Sequence, residues 1–272
     1  MSEKTTVTVM STANTRLFES QHTGLWKDME KHHPDIPFYF YHENSFEINS
    51  SGDSIDFGKI PKSYSVVDLF ESNPWLHEFL KTSRFKDCHK IGSQNSGRLK
   101  ADDDYFKRNA IYWFRKIVAL HDCAKRCNTD LLIFLGFDSF LTPNDCAIDD
   151  EYVDYVKNYD VCYINRDKIA RSPESDHLVF NLKGQGRNLI DETLEYFKDG
   201  RAFEERRWDD AYILYKAIEI FRKDVSGFKE GFLTDRSVQW SPSNTEAPKD
   251  FTRIVNHHKG NWGLIRDLKP GL

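Results

Sequence analysis

The 272-residue chain has no long apolar run. No stretch approaches the roughly 20 apolar residues that a membrane-spanning helix needs. The residues Met1 to Thr8 are polar and carry no apolar core of a secretory signal. Together these point to a cytoplasmic protein, including the cytoplasm of a host cell. There is also no excess of basic residues. Lys and Arg number 38 against 43 Asp and Glu, giving a net charge of −5, and this argues against a general nucleic-acid binder. Cysteine is sparse and odd in number. Cys88, Cys123, Cys127, Cys146 and Cys162 match no zinc spacing. Cys123 and Cys127 stand four apart on an expected helix, so the thiols read as reduced. Internal repeats and low-complexity tracts are missing as well.

What is present reads as an ordinary globular composition: 39% hydrophobic, 30% charged and 14% aromatic. Thr5–Met10 alternates β-branched and apolar residues and predicts a first strand. A helix is expected from Leu17 to Lys31, and Phe38–Tyr41 predicts a second strand. Ser65–Lys81 has helical spacing. Asp104–Cys127 carries a clear apolar face through Ile111, Phe114, Ile117 and Val118. Leu131–Leu135 is fully apolar, as in a buried parallel strand. Further strands are expected at Val161–Ile164, Leu178–Leu182, Val238–Trp240 and Thr252–Asn256. Further helices are expected at Asp149–Asn158, Arg187–Lys198 and Asp209–Lys223. This alternation predicts a single α/β domain with a mostly parallel central sheet flanked by helices. Residues 1–142 would form one half and 143–272 the other.

The segment LLIFLGFDSFL, residues 131–141, delivers Asp138 just beyond the end of the apolar strand. Open α/β sheets bind ligands outside the carboxyl ends of their strands. A carboxylate there suits Mg²⁺ or Mn²⁺, and it equally suits a turn or a helix cap. Near the chain end, Asn256-His257-His258-Lys259-Gly260 offers imidazole for a metal and an ammonium for phosphate. Adjacent strand residues face opposite ways, so one histidine of the pair can serve. The run Trp208-Asp209-Asp210-Ala211 reads as a helix start, where acids are ordinary caps. Gly184 and Gly186 fall short of G-x-G-x-x-G, because Leu189 takes the third place. A dinucleotide fold is thereby rejected.

Trp113–Leu120 running into LLIFLGFDSFL resembles the GT-A glycosyltransferases, in which a helix with a basic residue leads to a strand ending in Asp-x-Asp. Here Gly136 occupies the first acidic position and Asp138 the last. The resemblance implies a Rossmann-like GT-A fold and a metal-dependent transferase. It would take a nucleoside-diphosphate sugar, UDP-linked in the favoured case, and act on an oligosaccharide or glycoprotein glycan. It places Mn²⁺ or Mg²⁺ on Asp138 with His257 or His258. It places the nucleoside near Thr12, Ala13 and Arg16, the ribose or base near Glu43, and the diphosphate near Arg115 and Lys259. Asp210, or Asp209, would act as base in an inverting transfer. Trp208, His177 and Asn181 would meet the acceptor. The anchorless design also resembles the small glycosyltransferases of large algal DNA viruses, one of which transfers xylose. Two alternatives remain at this stage: a metal-dependent hydrolase or nucleotidyltransferase using the same acid and histidine, and a carbohydrate-binding protein using the aromatics.

Overall fold

The structure, a computed structural model, describes residues 4–13, 25–43, 60–91, 103–137, 148–165 and 173–233 with their side chains, and the backbone of 139–141 and 255–257. Along the chain run β1 (Val7–Ala13), α1 (Leu25–His32), β2 (Phe38–His42), β3 (Ser65–Asp68), α2 (Leu69–Ser72), α3 (Trp75–Thr82) and a 3₁₀ segment (Arg84–Lys90). Then come α4 (Asp103–Arg108), α5 (Ala110–Arg126), β4 (Leu131–Leu135), β5 (Ser139–Leu141), α6 (Asp150–Val156), β6 (Val161–Ile164) and β7 (Glu174–Asn181). The chain continues through α7 (Gly186–Lys198), a 3₁₀ turn (Arg201–Glu204), α8 (Asp210–Asp224), β8 (Glu230–Phe232) and β9 (Val255–His257).

Seven strands form one sheet in the order β3-β2-β1-β4-β7-β6-β8. All run in one direction except β7, which is antiparallel to both β4 and β6. The expected mostly parallel α/β sheet is therefore present. Strand β4 is buried on both faces, as its continuous apolar run requires. Its side chains alternate. Leu132 and Phe134 join the core under α3, α5, α7 and α8. Ile133 and Leu135 join the core under α1 and α6. Each such side chain stabilises the fold by about 1.5–3 kcal/mol on burial.

Three sequence expectations change. Ser65–Lys81 is not one helix. Val66 and Val67, stiff at χ1 and suited to a pleated edge, form β3 against β2. Asp68 then caps α2, accepting hydrogen bonds from the backbone N–H of Phe70 and Glu71. The long helix over 104–127 is interrupted at Asn109, whose backbone (φ −98°, ψ 9°) separates α4 from α5. Strand β7 begins at Glu174 rather than Leu178, because its first residues pair alongside β4 and β6. The expected strand at 238–240 and residues 17–24 of the expected first helix lie outside the described residues.

Candidate active site

The parallel strands end together along one edge of the sheet. Thr12 and Ala13 close β1, paired with Tyr41 and His42 of β2. Gly136 and Phe137 follow β4. Because β7 runs backwards, its first residues return to this edge, with His177 opposite Leu135. The Gly136 N–H donates to the Asp176 carbonyl at 2.8 Å. Phe137 is buried against Phe40, with ring centroids 5.2 Å apart, and so anchors the turn that leads to residue 138.

Two neighbouring cations on α5 reach this edge. Arg115 is 2% exposed and its guanidinium donates to Glu43 Oε2 at 2.8 Å. The guanidinium also lies over the rings of Phe70 and Tyr112, 5.5 Å from each centroid. This buried pair sits where β2 ends, so Arg115 and Glu43 are brought together beside Thr12 and Ala13. Lys116 takes the other direction. Its Nζ lies 2.7 Å from Asp210 Oδ2 and 3.3 Å from Asp176 Oδ1. Burial lowers the Lys116 pKa, and the Coulomb attraction of Asp210 and Asp176 outweighs it, so the net direction is upward. The ammonium is charged at neutral pH, and its two acids come from β7 and α8.

Asp209 and Asp210 have separate roles. Asp209 is the N-cap of α8, accepting from the Tyr212 N–H, and Arg207 forks onto both its oxygens at 2.8 and 3.0 Å. Burial raises its pKa against the opposing pull of Arg207. Its carboxylate is thus fully engaged in holding the helix start. Asp210 turns inward to Lys116. His177 is 2% exposed and its Nε2 lies 2.9 Å from the Tyr152 hydroxyl. Burial depresses its pKa to about 3, so it is a neutral ring within the site wall.

Two of the residues expected to meet an acceptor, Asn181 and Trp208, have structural surroundings of their own. Asn181 sits at the opposite end of β7, paired with Leu131 at the start of β4. Its side chain donates to the Lys157 carbonyl and accepts from the backbone N–H of Lys183 and Gly184. A Cβ on Gly186 would come within 2.5 Å of the Asn181 carbonyl oxygen, so the two glycines serve a tight turn. Trp208 is 4% exposed and its indole N–H donates to the Glu205 carbonyl. It packs edge-on against Phe203 at 5.1 Å, within the core, and has no open face for a sugar. The sequence reading gave no role to Asp176. The signal available was its place in Ser175-Asp176-His177, but only antiparallel pairing carries that segment to this strand-end edge.

Arg16, Asp138, His258 and Lys259 lie outside the described residues. For His257 the backbone is described. Strand β9 pairs antiparallel with β5, and His257 stands opposite Ser139, the residue after Asp138. Among the described residues no group of three or more His, Cys, Asp or Glu forms a metal cluster. The fit of a metal therefore rests on this backbone pairing and on donor chemistry, a carboxylate and an imidazole, which suits Mn²⁺.

No protein-family model matches the sequence, and no curated protein matches it. Solved structures do match in shape. The glycosyltransferase GlyE of Streptococcus pneumoniae TIGR4 aligns over 94% of this chain at 12% identity with a TM-score of 0.51. This chain spans only 55% of GlyE's length. Mouse xyloside xylosyltransferase 1 aligns over 94% of this chain and 98% of its own, at 11% identity and a TM-score of 0.51. The fold is GT-A. At these identities the likeness concerns architecture alone. No helix among the described residues is long and apolar enough to cross a membrane.

Proposed function

We propose that the protein is a glycosyltransferase that moves a sugar from a nucleoside-diphosphate donor to a hydroxyl of a glycan acceptor. The observation that carries this reading is the convergence of two buried cation–carboxylate clusters, from one helix, on the strand-end edge of a GT-A sheet. Fold alone does not fix chemistry, so the residues at that edge must support it.

On this reading the nucleoside lies across the ends of β1 and β2, at Thr12 and Ala13, with Arg16 from the segment that follows. The Arg115–Glu43 pair sets the floor there. Glu43 holds the buried guanidinium in place beneath the strand ends. Asp138, with His257 or His258, would hold Mn²⁺ or Mg²⁺, which when bound supplies positive charge to the leaving diphosphate. Lys259 adds a point charge for phosphate. On the other side Asp210 is the carboxylate that takes the acceptor proton. The acceptor oxygen bonds to the anomeric carbon as the bond to the diphosphate breaks, with inversion. Asp176 shares Lys116 with it and is the more exposed of the two acids, 19% against 3%, so it orients the incoming hydroxyl. His177, uncharged, closes the wall behind. UDP is the favoured nucleotide, and xylose is one of the sugars to screen.

Calorimetric titration with UDP and GDP, with and without Mn²⁺, tests the donor half. Metal-dependent binding of one nucleotide, abolished in Asp138→Asn, is expected. Nucleotide binding that survives Asp138→Asn intact would remove the metal assignment. The anomeric configuration of the product, read by NMR, separates inversion from retention.

A further inference from the structure

The C-terminal end of α5 holds two thiols that no step above uses. Cys123 and Cys127 stand one helical turn apart, both are free, and their side chains hydrogen-bond each other. Cys123 is fully buried. Cys127 is the C-cap of the helix. Its N–H donates to the Cys123 carbonyl at 2.9 Å, and its backbone has turned to extended geometry, with φ −77° and ψ 140°. At 7% exposure it is the most accessible of the four described cysteines, against 3% for Cys88 and 0% for Cys123 and Cys162.

The surroundings divide the pair. Cys127 is met by the Cys123 thiol and by the hydroxyl and backbone N–H of Thr129. The Arg187 guanidinium, from the first turn of α7, donates to the Ala124 carbonyl. The Cys127 sulfur lies 4.0 Å from the same oxygen. A guanidinium beside a sulfur favours its thiolate. Burial and the carbonyl end of α5 both oppose a thiolate. The Cys123 hydrogen bond, the largest cause, acts with Thr129 and Arg187 to overcome them and lowers the Cys127 pKa to about 6. Cys123 is pushed well upward, first by its hydrogen bond to Cys127, then by burial and by the charges of Cys127 and Asp122. One sulfur is thus ionised and the other keeps its proton. A low-pKa thiolate beside a second thiol is an arrangement in which oxidation of the first is resolved by the second.

The chain allows the two sulfurs to bond. Four residues of α-helix rise about 6 Å, inside the roughly 4.4–6.8 Å that separates bridged Cα atoms. We propose that Cys123 and Cys127 are a peroxide-reactive pair that closes to an intrachain disulfide. The Cys127 thiolate attacks one oxygen of hydrogen peroxide. The O–O bond breaks, the leaving oxygen takes a proton and departs as water, and Cys127 becomes a sulfenic acid. The Cys123 sulfur then attacks the Cys127 sulfur. The S–S bond forms as the S–O bond breaks, and hydroxide leaves with the Cys123 proton as a second water. Two electrons pass from the thiol pair to the peroxide. This proposal does not depend on the transferase reading.

The test is a limiting dose of hydrogen peroxide on the reduced full chain, followed by thiol labelling and peptide mass mapping. After denaturation trypsin cuts at Lys125 and Arg126, between the two cysteines. The disulfide therefore joins two peptides, and fragmentation distinguishes it from a link to Cys146. The intact chain is expected to lose two hydrogens, with Cys123 linked to Cys127. Cys127 should be consumed at least about tenfold faster than Cys88 or Cys162. Dithiothreitol should restore both thiols. In Cys123→Ser, Cys127 should stop at the sulfenic acid and be captured by dimedone. In Cys127→Ser, Cys123 should react as slowly as Cys162. The rate comparison within the unsubstituted chain needs no variant, so it stands even where a serine variant fails to fold. Equal rates at Cys127, Cys88 and Cys162 overturn the proposal. So does a link from Cys127 to any other cysteine, or oxidation of Cys127 past the sulfenic acid with no link formed.

Discussion

Arg115 and Lys116 are consecutive residues on one helix, yet they serve opposite halves of the sheet. Arg115 meets one acid at the end of the parallel strand β2. Lys116 meets two, from the antiparallel strand β7 and the start of α8. Successive helical residues project about 100° apart, so one turn of α5 supplies charge to both sides. The guanidinium is rigid, and aromatic rings cover it. The ammonium is a point charge and suits two carboxylates at unequal distances. The β2 side is thus built as a fixed pair and the β7 side as a shared charge, and on the proposed reading these are the nucleotide and acceptor sides.

The most severe way to break this arrangement is Lys116→Met, which takes the shared ammonium from Asp176 and from the deeply buried Asp210. Removing one partner from a buried pair costs about 3–5 kcal/mol, and this variant should fall at the upper end in urea unfolding at pH 7. The lysine pKa is raised in the fold, so its contribution is complete below the unfolded value near 10.4. It is lost only as pH rises through the higher folded value, so the wild-type advantage should persist through pH 9. Arg115→Met removes the guanidinium from the buried Glu43 carboxylate and belongs at the lower end of the same range. Arg115→Lys keeps the charge and loses the planar fork, so nucleotide affinity should fall more than stability does. If Arg115→Lys and Lys116→Arg behave alike in both assays, the distinction between the two sides is wrong.

A smaller effect comes from acid. Unfolded histidine protonates near pH 6.5, while folded His177 does so only near 3. Stability should therefore decline as pH falls from 6.5, by about 1.4 kcal/mol per unit for this residue. Burial depresses His33, His42 and His121 as well. Urea midpoints against pH, with His177→Gln as the comparison, measure the share that belongs to His177. The smallest effect is Asn181→Ala at the far end of β7. It loses turn hydrogen bonds worth about 1 kcal/mol, and should leave nucleotide binding and transfer unchanged. A loss of transfer there would return Asn181 to the site.

Much of this was legible in the sequence because it is local. The run LLIFL announces a buried strand, and the acids before Tyr212 announce a helix start. The position alone gave Asp209 and Asp210 as helix caps, and the GT-A resemblance gave Asp210, or Asp209, as candidate base. Their separation was hidden, because a cap and an inward-facing acid have the same local pattern. Trp208 looked like a stacking platform, since an aromatic beside charges reads the same whether its face is open or covered. Asn181 and His177 stand four apart on one strand, and only its direction shows that they belong to opposite edges.

By itself the sequence determined the alternation of strands and helices, the buried central strand and the acids at the start of α8. These follow from periodicity and capping, which act over a few residues. Only the tertiary structure decided that β7 runs backwards, that Asp176 thereby joins Asp210 at one ammonium, and that Trp208 is closed. Those contacts span 60 residues or more, from α5 to β7 and α8. Strand order and helix packing, rather than any local signal, bring such residues together.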